Sequence, residues 1–259
     1  MSTPANQPPK LLFLHGWGQS PQIWCQQIHY FSPITNTATL QLPGHAGSPD
    51  TEAPFWLEYI YNNILQEADG EDFVLVAWSL GGQIALSLAR SLQQLSNFKG
   101  WVLVSTTPCF RQQPDWSFGC ADDVWQGFSD AASTGDTKLM QRFFRLMLHG
   151  NNIDRQSFNH LAHIAINKLA PPTLAGLKAG LDLLSSLDER ANLSDVCCPT
   201  LIFHGSNDAI VPATAGRDLA KQINGAQYRE LKECGHAPFL THDTAFNQTL
   251  ELWWKNLSA

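Results

Sequence analysis

The chain has no long apolar run. Nothing in it approaches the roughly 20 residues that a bilayer-spanning helix needs, so no membrane segment is expected. Nor does it open on a charged leader with an apolar core: Met1 to Lys10 is polar and proline-rich. No secretory signal is expected at this position, and the expectation is of a soluble, unexported, cytoplasmic protein. Six cysteines (Cys25, Cys109, Cys120, Cys197, Cys198 and Cys234) are present without any C-x-x-C spacing. They read as reduced, mostly buried thiols rather than a disulfide framework or a zinc site. Basic residues are outnumbered, 16 Lys and Arg against 23 Asp and Glu for a net charge of −7, which argues against general nucleic-acid binding. His160 and His163 lack the H-E-x-x-H metal pattern, and no nucleotide or flavin signature occurs, so neither a metal nor another cofactor is expected.

The 259 residues, 44% of them hydrophobic, suffice for one large α/β domain or one domain with an insertion. The informative stretch runs from Phe73 to Leu86. Phe73 to Ala77 is a short apolar run that reads as a buried parallel strand. Gln83 to Arg90, rich in Ala and Leu, reads as a helix. Between them stands Ser79, followed by Gly81 and Gly82. A serine on a sharp strand-to-helix turn is the nucleophile elbow of α/β-hydrolases. Small residues two places before and after it let the backbone pass close by. Here the earlier small residue is Ala77 rather than Gly.

Other strands are expected at Lys10–Leu14, Thr37–Leu42, Lys99–Ser105, Thr200–His204 and Tyr228–Leu231, alternating with helical segments. That alternation indicates a doubly wound, mostly parallel sheet. The chain starts almost directly at the first buried strand, so the sheet is expected to lack an antiparallel edge hairpin before it. His15-Gly-Trp-Gly follows the first strand and has the glycines of an anion-binding loop. In α/β-hydrolases this loop and the residue after the nucleophile supply the oxyanion-hole amides, which here points to the backbone N–H groups of Trp17 and Leu80. His15 itself reads as structural.

From Phe110 to Arg190 the pattern becomes purely helical, with segments at Asp122–Ala132, Asp136–Leu148, Ile153–Leu169 and Thr173–Leu187. The expected organisation is therefore a core of residues 1–109 and 191–259 with an all-helical lid of residues 110–190. Lids of this kind hold substrate and exclude water. Between Thr137 and Leu181 the chain carries Lys138, Arg142, Arg145, Arg155, Lys168 and Lys178 against a single acid, Asp154, for +5 within an acidic protein. Positions 138, 142 and 145 share one helical face, with Leu139, Phe143 and Leu146 on a neighbouring one. A solvated helix face and a docking face for an acidic partner or substrate both fit this stripe.

A base and an orienting acid complete the chemistry. Asp208 sits in Gly205-Ser-Asn-Asp at the carboxyl end of a strand, where open α/β sheets bind ligands. His236 sits in Gly235-His-Ala-Pro, where Pro238 rules out a central strand. The order Ser79, Asp208, His236 is that of the α/β-hydrolases. His236 would take the Ser79 proton and return it to the leaving alcohol, and Asp208 would fix the imidazole tautomer. Asp182 and Asp195 do not end strands.

Leu14-His-Gly-Trp-Gly, Leu42-Pro-Gly, Trp78-Ser-Leu-Gly-Gly, Thr107-Pro-Cys-Phe and His236-Ala-Pro-Phe together resemble the pimeloyl-acyl-carrier-protein methyl ester carboxylesterases of biotin synthesis. The resemblance extends from Leu11 to the closing helix. It implies hydrolysis of the methyl ester of a pimeloyl chain on acyl carrier protein, by a protein expected to be monomeric. It further implies Ser79, Asp208 and His236 as triad, with Trp17, Ser79, Leu80 and His236 at the reacting end of the substrate. Phe143, Phe144, Arg145, Leu146 and Met147 would lie along the lid pocket, and Lys138, Arg142 and Arg155 would contact the acidic carrier. Asn159 stands where the family can have another arginine, and Ala77 and the absent hairpin are further departures. A generalist esterase for short free esters and a non-catalytic receptor on the same fold are the competing readings.

Overall fold

The computed structural model describes residues 8–134, 136 and 138–257. Met1–Gln7, in the polar N-terminal stretch, and Thr137, the boundary chosen for the basic segment, lie outside the described residues. Six strands form one sheet: β1 (Lys10–Leu14), β2 (Thr37–Leu40), β3 (Phe73–Trp78), β4 (Phe98–Val104), β5 (Thr200–Gly205) and β6 (Gln227–Leu231). Their order is β2-β1-β3-β4-β5-β6 and every pairing between them is parallel. β3 and β5 are buried along their whole length, as the run of Val, Leu and Phe requires when both sheet faces are covered. β6, at an edge, has no fully buried residue.

The helices of the core are α1 (Cys25–Phe31), α2 (Trp56–Ala68), α3 (Leu80–Ser87), α4 (Ala89–Leu92), α9 (Ala213–Gln222), α10 (Pro238–Thr241) and α11 (Asp243–Lys255). Two of these helices follow short turns rather than starting directly. Residues 21–30 open as a 3-10 turn at Pro21–Trp24 before α1, with Pro21 at its first position. His242, whose backbone (φ −128, ψ 39) is not helical, separates the short α10 from the closing helix α11. Between β4 and β5 lie α5 (Asp122–Thr134), α6 (Leu139–Met147), α7 (Arg155–Ala165) and α8 (Leu174–Ser186). α7 and α8 start on side-chain caps: Asp154 accepts from Ser157 N–H at 2.7 Å and Thr173 from Gly176 N–H at 2.9 Å.

The topology decides where chemistry can happen. β1 connects outward to β2 on one side, whereas β3 lies on its other side and leads on to β4. The carboxyl ends of β1 and β3 thus face a crevice that no connection fills. The register Leu14↔Ala77 sets the His15–Gly18 loop beside Trp78 and Ser79.

Candidate active site

Ser79 follows β3 with φ 55 and ψ −120, a left-handed conformation rare for a residue bearing Cβ. The surroundings hold it there. Its N–H donates to Val104 O at 2.9 Å, and its carbonyl accepts from Thr106 Oγ1 at 2.8 Å and from Gln83 N–H at 3.0 Å. The two glycines after it are required by close approach. A Cβ on Gly81 would lie 2.6 Å from His15 O, and one on Gly82 would lie 2.7 Å from Thr106 Cβ. Gly16, in the loop after β1, comes so near that an added Cβ would stand 3.0 Å from Ser79 Cβ. Leu80 opens α3, so its N–H is among those without an acceptor inside the helix.

Asp208 and His236 converge on Ser79 from the ends of β5 and β6. His236 Nε2 accepts from Ser79 Oγ at 3.0 Å, and His236 Nδ1–H donates to Asp208 Oδ2 at 2.7 Å. Asp208 Oδ1 accepts from the N–H groups of Ile210 and Val211, each at 2.9 Å. Burial pushes the Asp208 carboxyl upward. The adjoining imidazoles of His236 and His204, with the hydrogen bond from His236, outweigh it and hold the group well below the ordinary carboxylate range. The acid is therefore ionised and fixes the proton of His236 on Nδ1, leaving Nε2 as acceptor. A serine, a base and an oriented acid in this relay can perform acyl transfer.

Two buried histidines support the loop after β1. His15 Nδ1–H donates to Gly16 O at 2.9 Å while Nε2 accepts from Leu42 N–H at 3.2 Å. His45 Nδ1–H donates to Pro43 O at 2.8 Å while Nε2 accepts from Gly18 N–H at 3.0 Å. Burial, with repulsion from His45, lowers His15 to about 3, and burial lowers His45 to about 4. Both act as neutral braces between the loops after β1 and β2. His45 gave no signal in the sequence beyond its place in a Pro-Gly-His turn.

The helices between β4 and β5 close over this crevice. Ser79 is only 7% exposed and His236 is fully buried. Trp17 is also buried, its ring edge-on to Phe143 at 5.1 Å and to Phe128 at 5.8 Å. The five residues 143–147 do not share one destination. Phe143 meets Trp17; Met147 is buried, and its carbonyl accepts from His236 N–H at 2.9 Å. Leu146 is half-buried. Phe144 packs on Phe158 of α7 and, with exposed Arg145, lines an outer cavity of about 190 Å3 between α6 and α7. A second cavity, about 260 Å3, borders the active-site loop at Gly18, Gln19 and Ser20 and reaches Met140, Gln141 and Lys168.

Lys138, Arg142 and Arg155 are exposed, as is Asn159. Arg142 is paired with Asp136 (Nη1 to Oδ2, 2.7 Å), an acid just outside the segment whose charge was counted. Contacts that the sequence did not reveal include the indole N–H of Trp78, which donates to His236 O at 2.9 Å, and His204 beside Asp208. A Cβ on Gly205 would stand 2.0 Å from Gly235 O, so only glycine lets the acid and base loops meet.

Residues 11–249 match the alpha/beta hydrolase family. The pimeloyl-[acyl-carrier protein] methyl ester esterase of Aromatoleum aromaticum is 36% identical over 239 residues, covering 90% of this chain and 93% of that one. The protein of the same name from Nitrosomonas europaea is 34% identical, covering 92% of each chain. Among solved structures, an esterase from Exiguobacterium antarcticum aligns with a TM-score of 0.85 at 19% identity, over 97% of this chain and 93% of that one. A bromoperoxidase from Bacillus anthracis aligns at 0.84 and 20% identity, over 96% and 92% of the chains. At these identities the likeness shows the fold. The chain belongs to the alpha/beta hydrolase family and, within it, to the family of the pimeloyl-[acyl-carrier protein] methyl ester esterases.

Proposed function

We propose that this protein is a serine carboxylesterase that hydrolyses the methyl ester of a pimeloyl chain carried by acyl carrier protein, releasing methanol and the free carboxylate for biotin synthesis. The hydrogen-bonded relay from Ser79 Oγ through His236 to Asp208 carries this reading, and the names of the relatives supply the substrate.

The reaction runs in two halves. Ser79 Oγ attacks the ester carbonyl as His236 Nε2 takes its proton, giving a tetrahedral oxyanion held by the amides of Trp17 and Leu80. Collapse expels methoxide, which leaves as methanol with the proton from His236. Water then attacks the acyl-serine, His236 takes its proton, and a second collapse returns that proton to Ser79 and frees the acid. Asp208, ionised throughout, stabilises the imidazolium in both halves.

The helical segment 110–190 serves as the lid. Its closure over Ser79 excludes water during acyl transfer, with Phe143 and Met147 nearest the reacting end. Lys138, Arg142 and Arg155 form the face that receives an acidic carrier, and their exposure suits that role. Among the described residues no helix is long and apolar enough to cross a membrane, and all six cysteines are free thiols. Both features fit work in the reducing cytoplasm.

The test compares turnover of pimeloyl methyl ester on acyl carrier protein with turnover of the free ester, with Ser79→Ala as blank. The expected result is a strong, salt-sensitive preference for the carried ester. Equal turnover of the two esters would reduce the protein to a generalist esterase. Turnover that survives Ser79→Ala would remove the triad reading altogether.

A further inference from the structure

The triad acid has a second histidine. His204, the fifth residue of β5, is fully buried, and its Nε2 lies 3.3 Å from Asp208 Oδ2, the oxygen that also receives His236 Nδ1–H. The same Nε2 lies 2.8 Å from Val211 O. Two acceptors on one ring nitrogen assign the proton to Nε2: the N–H points at the Val211 carbonyl and presents its positive end to Asp208. His204 Nδ1 has no partner. It faces Gly216 of α9, where an added Cβ would stand 2.2 Å away. The carboxylate is thereby bounded on four sides, by two backbone amides on Oδ1 and two imidazoles on Oδ2.

We propose that His204 is a positioning residue of the triad: it holds the Oδ2 edge of Asp208 toward His236 and draws off part of that oxygen's negative charge. Gly216 is the position that leaves room for it. The inference rests on the reading of Ser79, His236 and Asp208 as the reacting groups.

The chemistry gives a direction. Oδ1 stays anchored by Ile210 and Val211 if His204 is lost, so the carboxylate remains beside His236. With the second imidazole gone, Oδ2 bears more charge and favours the protonated form of His236. His236 then needs a higher pH to become the free base that Ser79 requires.

The neighbours leave this effect readable. His236 is faced by Ser79 and Asp208, and the turn after α6 brings the Met147 and His149 carbonyls and the Asn151 side-chain amide to the adjoining Gly235, none of which titrates. Cys120 and Cys234, near Asp208, are pushed up to about 12 by burial and stay neutral. Glu230, the register partner of His204 on β6, is held by a two-pronged bond from Arg217 at 2.8 Å.

The experiment measures the pH profile of kcat/KM for ester hydrolysis in His204→Leu, His204→Gln and Gly216→Ala. His204→Leu is expected to move the acid limb upward by roughly half a unit, and Gln, which can return an N–H at the Nε2 position, restores it. Gly216→Ala, which displaces the ring without removing any group of the triad, should move the limb the same way. As a check independent of turnover, the His236 Nδ1–H proton resonance should shift in folded His204→Leu and return in His204→Gln. An unmoved limb and resonance in folded variants, or a shift that Gln fails to reverse, would overturn the proposal while leaving the triad intact. Activity that survives Ser79→Ala would instead remove the reading beneath it.

Discussion

The indole N–H of Trp17 donates to the carbonyl of Leu177 at 2.8 Å, tying the loop after β1 to α8. Gly180, one turn further along α8, sits so close that a Cβ there would lie 2.7 Å from Trp17 Cδ1. The residue proposed to present an oxyanion amide is therefore fixed by the covering layer. Trp17→Phe should keep the contacts with Phe143 and Phe128 yet lose a buried hydrogen bond, at about 1 kcal/mol of stability. Gly180→Ala should lower kcat more than Trp17→Phe does, because it pushes the indole and its backbone out of place. Steady-state kinetics and thermal melts on both variants check this, and a Gly180→Ala enzyme with wild-type kcat would show that Trp17 moves freely.

The triad should fail as a unit. Asp208→Asn leaves a neutral partner that favours the wrong imidazole tautomer, and kcat should fall by about 10⁴. Ser79→Ala and His236→Ala should each fall to a common residual rate, and the double variant should be no slower. Single-turnover measurements on the methyl ester settle it; multiplying losses would mean that the residues act separately.

How far the sequence foretold this site depends on what each residue's neighbours in the chain reveal. Ser79, Asp208 and His236 were legible because strand-end loops carry local signatures: small residues flanking the serine, a Ser-Asn-Asp turn, a Gly-His-Ala-Pro turn. Strands β1, β3, β4 and β5 were legible as short apolar runs, with ends within about a residue. His204 was not, because a histidine inside an apolar strand reads as core, and its contact with Asp208 depends on the turn that follows. The bond from His236 N–H to Met147 O was equally hidden, since it joins positions 89 apart through the helical segment between β4 and β5. Equating 143–147 with one pocket surface overlooked helical geometry: five consecutive residues cover more than a full turn, so Phe144 and Arg145 face α7 while Phe143 faces Trp17.

The basic face on α6 and α7 should govern carrier recognition rather than chemistry. Arg155→Glu should raise KM for the carrier-bound ester by about three- to tenfold, with kcat and free-ester turnover unchanged. Arg142→Glu should do less, because Asp136 already neutralises part of its charge. Asp136→Asn keeps the oxygen that caps Lys138 N–H but frees Arg142, and should lower that KM. Added salt should flatten all three effects. Equal KM values across the set would leave the stripe as solvated surface.

Acid should destabilise the braced loops after β1 and β2 through their two buried imidazoles. Above about pH 6.5 His15 and His45 are neutral whether the chain is folded or not, so they add no pH dependence. Below it the unfolded chain takes up protons that the folded chain refuses until about pH 4 at His45 and about pH 3 at His15. Stability must therefore fall as pH drops through this window, by on the order of 2 kcal/mol for each histidine at pH 5. His45→Gln retains an acceptor for Gly18 N–H but cannot titrate, and His15→Gln does the same for Leu42 N–H. Each variant, whatever its stability at neutral pH, should lose less between pH 6.5 and pH 5 than the parent does. Denaturant unfolding across that range supplies the slopes; parallel slopes in parent and variants would show that these two imidazoles do not set the acid limit.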